Sequence, residues 1–371
     1  MNIIQWAKKY QDVSLTELPL TEMDYAFFAC ASYFDFGRLI KPEDREKLIS
    51  PTHFKSEADK KILTEKTLEP PHSKAVFENL GFSKRYSHWK ISHLHEENLP
   101  QKAIQYASML FTLPGGNYIF AYRGTDLTLF GWEEDFLMTV EDIPAWNLAL
   151  NDLIKVLSFI PEDAKITVVG HSKGGNLAAF ASARLPATLQ DRLKAVYDFD
   201  GPGFKNRLVD SEGFKRIEKK FIKLIPVDDM IGTLLDDYQG YKVVQAAGIK
   251  NGLWEHSLFT WKTGKKGFLR APAISKTAWA FAKAMDETLD SLSPEEKREF
   301  IKKLFTFMDD CGVKELTDVT GKFFQTSKAI LNGYKKSEKK DWVDFFKKIQ
   351  SLMRLYIHYR FSLKTRTLLS S

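Results

Sequence analysis

The sequence predicts an α/β protein, a mostly parallel, doubly wound sheet followed by a helical C-terminal region. Three observations carry this reading. Between Tyr86 and Asp229, short β-branched or aromatic runs alternate with stretches of helical spacing, the pattern of strands joined by helical crossovers. Beyond about Ala271 the alternation stops, and apolar residues recur at three-to-four spacing with lysines between them. The chain has 371 residues, of which 44% are hydrophobic and 13% aromatic, enough for one large domain and an appendage. The expected division is a domain over residues 1–270, N-terminal helices included, and a helical region over 271–371.

The elements follow in order. Thr21 to Phe36, TEMDYAFFACASYFDF, is apolar all round, which marks a short buried helix. Residues from about Arg38 to Leu80 are charged and punctuated by proline, and predict helices and loops. YSHWKISHLH, KAIQYASMLFTL and YIFAYRGT come next, the last two separated by a hairpin turn at Pro114-Gly115-Gly116-Asn117. KITVVGHS is a short β-branched strand, and KGGNLAAFASARL follows with alanines at helical spacing and low β-propensity. LKAVYDFDGPGF and KFIKLIPVDD are two more apolar runs that end in aspartates. Near the C-terminus, Ser293-Pro294-Glu295-Glu296 is a helix start with proline at the first helical position.

Composition narrows the function classes. Two cysteines, Cys30 and Cys311, make no disulfide framework and favour a reducing compartment. The first twenty residues lack the charged and apolar regions of a secretory signal, and no run approaches the roughly 18 apolar residues of a membrane span. A cytoplasmic location is expected. The net charge of +6 is uneven, since from Ile274 onward there are 19 Lys and Arg against 13 Asp and Glu. With no nucleic-acid-binding motif beside it, this excess reads as a solvated helical face, contact with an anionic membrane surface being the lesser alternative.

Chemistry concentrates at Gly170-His171-Ser172-Lys173-Gly174, a G-x-S-x-G pattern between a predicted strand and a predicted helix. At such an elbow the serine Oγ projects above the sheet, and side chains two residues to either side would collide, so glycines stand there. The N–H of Lys173, at the helix N-terminus, would face a developing oxyanion. Only His256 and His358 follow Ser172; His256 lies in the turn-rich NGLWEHSLFTW, where the base of this fold belongs, and His358 lies among aromatics of an amphipathic helix. Four aspartates are candidates for the acid: Asp198 and Asp200 end one strand, Asp228 and Asp229 the next. The later pair lies nearer the usual position, although a helix N-cap before MIGTLL is its structural role. His88, His93 and His95 with Glu96 could suggest a metal, but alternation along a strand favours an edge face. No metal or cofactor is expected. The strand end at Arg123-Gly124-Thr125 is where a second oxyanion donor should sit. Residues Asp236 to Gly252 lie between acid and base and could border and gate a pocket, or pack as core.

These residues carry a family resemblance. GHSKGGNLA, with YRGTD and GWEEDF upstream and DFDGPGF, PVDDMIG and WEHSLFTW downstream, resembles an uncharacterised bacterial family of lipase-like α/β-hydrolases. That family is distantly similar to class 3, fungal-type lipases, and the likeness runs from about Ser14 to about Lys262. It implies an α/β-hydrolase fold with Ser172 as nucleophile, His256 as base and Asp229 as acid, because DDMIG aligns with the NDIVP type of segment in class 3 lipases. It implies Thr125 with Lys173 as the oxyanion hole. Lipases usually have leucine where Lys173 stands and proline where Gly232 stands; the lysine is expected to bring a cation to the pocket mouth. The expected activity is hydrolysis of a carboxylic ester, the partner being a small acyl ester or lipid-like substrate. The alternatives are a catalytically silent fold that binds a ligand or partner, and an acyltransferase.

Overall fold

The computed structural model describes residues 1–67, 69–99, 104–126, 129–138, 142–204, 208–235, 238–247, 252–313 and 340–362. Seven strands form one sheet in chain order: β1 Lys90–Leu99, β2 Ile104–Leu113, β3 Asn117–Tyr122, β4 Ile166–His171, β5 Leu193–Phe199, β6 Phe221–Pro226 and β7 Lys242–Val244. The first three pair antiparallel and the rest, from β3 to β7, parallel. The helices are α1 Ile3–Tyr10, α2 Glu22–Ala31, α3 Glu57–Thr64, α4 Pro70–Phe82, α5 Leu129–Leu137, α6 Pro144–Phe159, α7 Lys173–Arg184, α8 Ala187–Gln190, α9 Glu212–Ile217, α10 Gly252–Glu255, α11 Lys276–Asp290, α12 Pro294–Asp310 and α13 Lys340–Ser362.

The hairpin turn falls at Pro114 to Asn117, where Gly115 and Gly116 take φ of 77° and 69° and the Asn117 amide donates to the Pro114 carbonyl at 2.9 Å. Side chains along β3 and β4 then alternate between two layers, as the two-residue period of a strand requires. Ile119, Ala121 and Val169 join the cluster of Trp6, Phe27, Phe28 and Phe77 from α1, α2 and α4. On the other side, the Tyr122 hydroxyl donates to the Ala149 carbonyl of α6, and α6 packs on α7 and β2. Both faces are covered. Because the strands run in chain order, α6, α7 and α9 lie together on one face, and the N-terminal helices supply the other.

Helix α2 shows why an all-apolar helix is tolerated here. Nine of its ten residues are buried, and its one buried charge, Asp24, is fully satisfied. Asp24 caps the helix by accepting from Thr21 N at 2.7 Å, and it takes Arg85 Nε and NH2 at 2.7 Å each and the Tyr86 hydroxyl at 2.6 Å.

The chain divides into two compact units. The first comprises Met1–Leu99, Ile104–Gly124 and Pro144–Ile274 and holds all seven strands; the second comprises Pro100–Ala103, Thr125–Ile143 and Ser275–Ser371. Within the second unit, α5 packs on α12 through Phe136 and Phe305, ring centroids 5.5 Å apart, and α11 packs on α13. The Ser293 hydroxyl caps α12 with Glu296 in a reciprocal box, Pro294 following at the first helical position.

The segment read as a pocket border or as core is core only in part: Gln239, Gly240, Lys242 and Ala247 are exposed. Val243 and Val244 are buried in β7, and Tyr238 packs edge-on against Phe214 and Phe221, at 5.5 and 5.2 Å. Its residues 236–237 and 248–251 lie outside the described residues.

Candidate active site

The strand-to-helix junction after β4 is the foundation of the site. Ser172 sits at φ 58°, ψ −135°, a conformation that a non-glycine residue adopts only under constraint, and α7 begins at the next residue. Its N–H is held by the Phe199 carbonyl of β5 at 2.9 Å. The turn is too tight for flanking side chains: a Cβ on Gly170 would fall on the Gly174 carbonyl, and one on Gly174 on the Tyr122 carbonyl. From the end of β3, Gly124 packs against the serine, where a Cβ would lie 3.0 Å from that of Ser172.

Lys173 corrects one expectation. Its ammonium is not at a pocket mouth; it is fully buried and donates to the Gln105 carbonyl of β2 at 2.8 Å. A lysine at the first position of α7 reaches back over the sheet, where a strand carbonyl accepts the charge. Thr125 is buried and belongs to the second unit, one bond beyond Gly124.

His256 lies after α10 and is buried. Its Nδ1 hydrogen-bonds Asp200 Oδ2 at 2.8 Å, while Asp229 Oδ1 stands 3.8 Å away. The carboxylate nearest the imidazole is therefore Asp200, from the end of β5, and not Asp229. Two features explain it. Asp200 has φ 62°, which turns its side chain under the imidazole, and Gly232 leaves the space its Oδ1 occupies. Asp229 directs Oδ2 to its own loop, accepting from Ile231 N at 2.5 Å and Gly232 N at 2.7 Å; MIGTLL forms turns and not a helix, so this carboxylate closes a turn where a helix N-cap was expected. Asp228 is half-buried, and its N–H donates to Glu255 Oε2 at 2.9 Å. Asp198 accepts from Gly201 N at 2.7 Å and pairs with the buried Lys223 at 3.7 Å, bracing the turn that carries Asp200.

Three supporting residues escaped the sequence reading. His171 Nε2 donates to the His256 carbonyl at 2.8 Å, its Nδ1 accepts from the Tyr33 hydroxyl at 3.0 Å, and the two imidazoles lie 4.6 Å apart. Burial, then the charge of His256, push His171 down to about 3, so it is a neutral strut. Asn176 accepts from Trp146 Nε1 at 2.8 Å and donates to the Pro202 and Gly203 carbonyls at 3.0 and 3.3 Å, fastening the Asp200 loop to α7. His171 precedes the serine inside the motif and Asn176 stands two residues beyond the motif on α7; Tyr33, from the N-terminal segment, carried no signal. A cavity of about 30 Å³, room for one water, lies behind His171 between Cys30, Tyr33 and Leu258.

The histidine-rich strand has its own partners. His93, at φ 50° in a bulge of β1, packs on Phe159; His95 Nδ1 binds Asp152 at 2.7 Å; Glu96 pairs with Arg123 at 3.2 Å.

The sequence profile of the Mbeg1-like family matches residues 80–306, a span that contains Ser172, Asp200, Asp229 and His256 and exceeds half the chain. The chain belongs to the Mbeg1-like family. No curated protein matches it. Among solved structures it is similar to M37 lipase, at 17% identity over 57% of this chain and 68% of that one, with a TM-score of 0.37. The lipase of Rhizopus microsporus var. chinensis is similar at 16% identity over 62% and 73%, TM-score 0.36. Lip2 lipase of Yarrowia lipolytica is similar at 14% over 61% and 80%, TM-score 0.34. In this member of the Mbeg1-like family a second buried aspartate stands beside the histidine.

Proposed function

We propose that the protein is a serine hydrolase that cleaves a carboxylic ester of a small acyl or lipid-like substrate. The observation that carries this is Ser172 at φ 58° between β4 and α7, in the same unit as a buried His256 whose Nδ1 is bonded to a carboxylate. A structural serine has no need of that backbone strain. With Nδ1 engaged by Asp200, the Nε2 of His256 is the basic nitrogen, able to take the Ser172 proton and return it to the leaving alcohol. The Lys173 N–H, at the start of α7, is the first oxyanion donor; the family resemblance gives the second to Thr125. Asp200 supplies the hydrogen bond that holds the imidazole tautomer, the role the family resemblance gave to Asp229.

A fluorophosphonate probe with p-nitrophenyl esters tests this. Wild-type protein should label, and Ser172→Ala should lose labelling and on the order of a million-fold in kcat with its fold retained. Wild-type protein that neither labels nor turns over would mean a fold used only for binding.

A further inference from the structure

Asp200 and Asp229 come from the ends of neighbouring strands and meet beneath one imidazole. Both are fully buried, and one carboxylate oxygen of each and a His256 ring nitrogen lie within 4.8 Å of one another. Three of the interactions are accounted for: Asp200 Oδ2 takes His256 Nδ1, and Asp229 Oδ2 takes the N–H groups of Ile231 and Gly232. The two remaining oxygens, Asp200 Oδ1 and Asp229 Oδ1, have no donor among the described residues. Carboxylates only accept, so two ionised groups this close in a dry site repel unless something stands between them.

The surrounding charges relieve that repulsion only in part, since Lys223 favours ionised Asp200 and His256 favours ionised Asp229, while Asp198 and Glu255 oppose ionisation of Asp200. Lys223 lies against Asp198, so this pair is neutral together, and Glu255 adds a further negative group on the far side of the 228–229 loop. Burial first, and for Asp229 the charge of Asp200 next, hold both carboxyls well above the usual range.

We infer that Asp200 and Asp229 share one proton between their Oδ1 atoms and serve His256 as a single monoanion, Asp200 carrying the hydrogen bond and Asp229 the proton. The balance is simple. One proton bridges two carboxylates, leaving a charge of −1 on the pair, which a His256 cation formed by taking the Ser172 proton would neutralise. A dianion would instead hold the imidazolium too firmly for it to return its proton to a leaving alkoxide. Asp229 is on this account a positioning residue that fixes the charge and place of Asp200. The kinetic consequence rests on the hydrolase reading; the proton count does not.

The test has two arms, both on the full chain. In the first, protein labelled with 13C at the aspartate side-chain carboxyl carbons is titrated by NMR. A shared proton gives a resonance that stays protonated through pH 7, and Asp200→Asn and Asp229→Asn should each remove it. Two carboxyls both ionised at pH 7, or a stoichiometric metal in elemental analysis that either variant releases, overturns the inference whatever the protein catalyses. In the second arm, Asp229→Asn, whose amide can donate where the proton stood, should cost ester hydrolysis no more than about tenfold and abolish the alkaline limb of kcat/KM. Asp200→Asn should cost about a thousandfold or more through the wrong tautomer. Equal losses in the two variants would overturn the division of roles. Absence of any ester turnover in the wild type would sink the hydrolase reading alone, with the NMR arm still deciding the proton.

Discussion

His171 shows how much a single buried residue contributes to the site without touching a substrate. It links the Tyr33 hydroxyl to the His256 carbonyl and must stay neutral to do so. Folding depresses its pKa to about 3 from an ordinary 6.5, so between these values the unfolded chain binds a proton that the folded one refuses. Stability should therefore fall as pH drops from about 6.5 towards 3, by up to about 1.4 kcal/mol per unit from this group. The raised carboxyls of Asp200 and Asp229 act in the opposite sense, favouring the folded state as pH falls. The informative measurement is a difference. Urea titrations between pH 7.5 and 4 should show His171→Asn with a pH slope shallower than wild type by about one proton, and an equal slope would show that His171 is not held neutral. Asp200 belongs to the same scale. Its identity as an aspartate was visible, but its φ of 62° was not, and that angle brings its carboxylate to His256 in place of Asp229.

At the scale of elements, the β4–Ser172–α7 junction and helix α2 make separate predictions. Gly174 lies so close to the end of β3 that an added Cβ would meet the Tyr122 carbonyl, a backbone atom with little freedom to withdraw. Gly174→Ala should cost at least about 2 kcal/mol in urea denaturation, with loss of probe labelling at Ser172. A stable, fully labelled variant would show the turn to be looser than described. At α2, replacing Arg85, which follows α4, by methionine leaves Asp24 of the helix buried without its cation. Breaking a buried pair in this way costs about 3–5 kcal/mol, so Arg85→Met should shift the denaturation midpoint strongly, whereas exposed pairs such as Lys47 with Asp44 should shift it little.

At the scale of the whole molecule, the second unit takes residues from three separate segments of the sequence. Helix α5, emitted between β3 and α6, finds its partner in α12, where Phe136 meets Phe305. A chain ended at Ile274 would leave α5 with its apolar residues uncovered, and such a patch promotes association. That truncation should come out insoluble or as aggregates in size-exclusion chromatography. A monodisperse, probe-reactive product would show that α5 stands without α12. No described helix is long and apolar enough to cross a membrane.

What the sequence determined by itself is what depends on neighbours along the chain. The elbow was legible because strand, glycine, serine, glycine and helix follow one another within a dozen residues. The Pro114 to Asn117 turn and the Ser293 cap were legible for the same reason, since each depends on local φ, ψ and hydrogen bonds. His256 could be named by elimination, there being only two histidines after Ser172. The tertiary structure decided what depends on approach between distant residues. It placed Asp200, 56 positions before His256, at 2.8 Å from the ring, turned the Lys173 ammonium to the Gln105 carbonyl, and brought Tyr33 to His171 across 138 positions. Local propensity is blind to such meetings, because a side chain's partner is set by the packing of whole layers and by the few places, such as Gly232, where a missing Cβ leaves room.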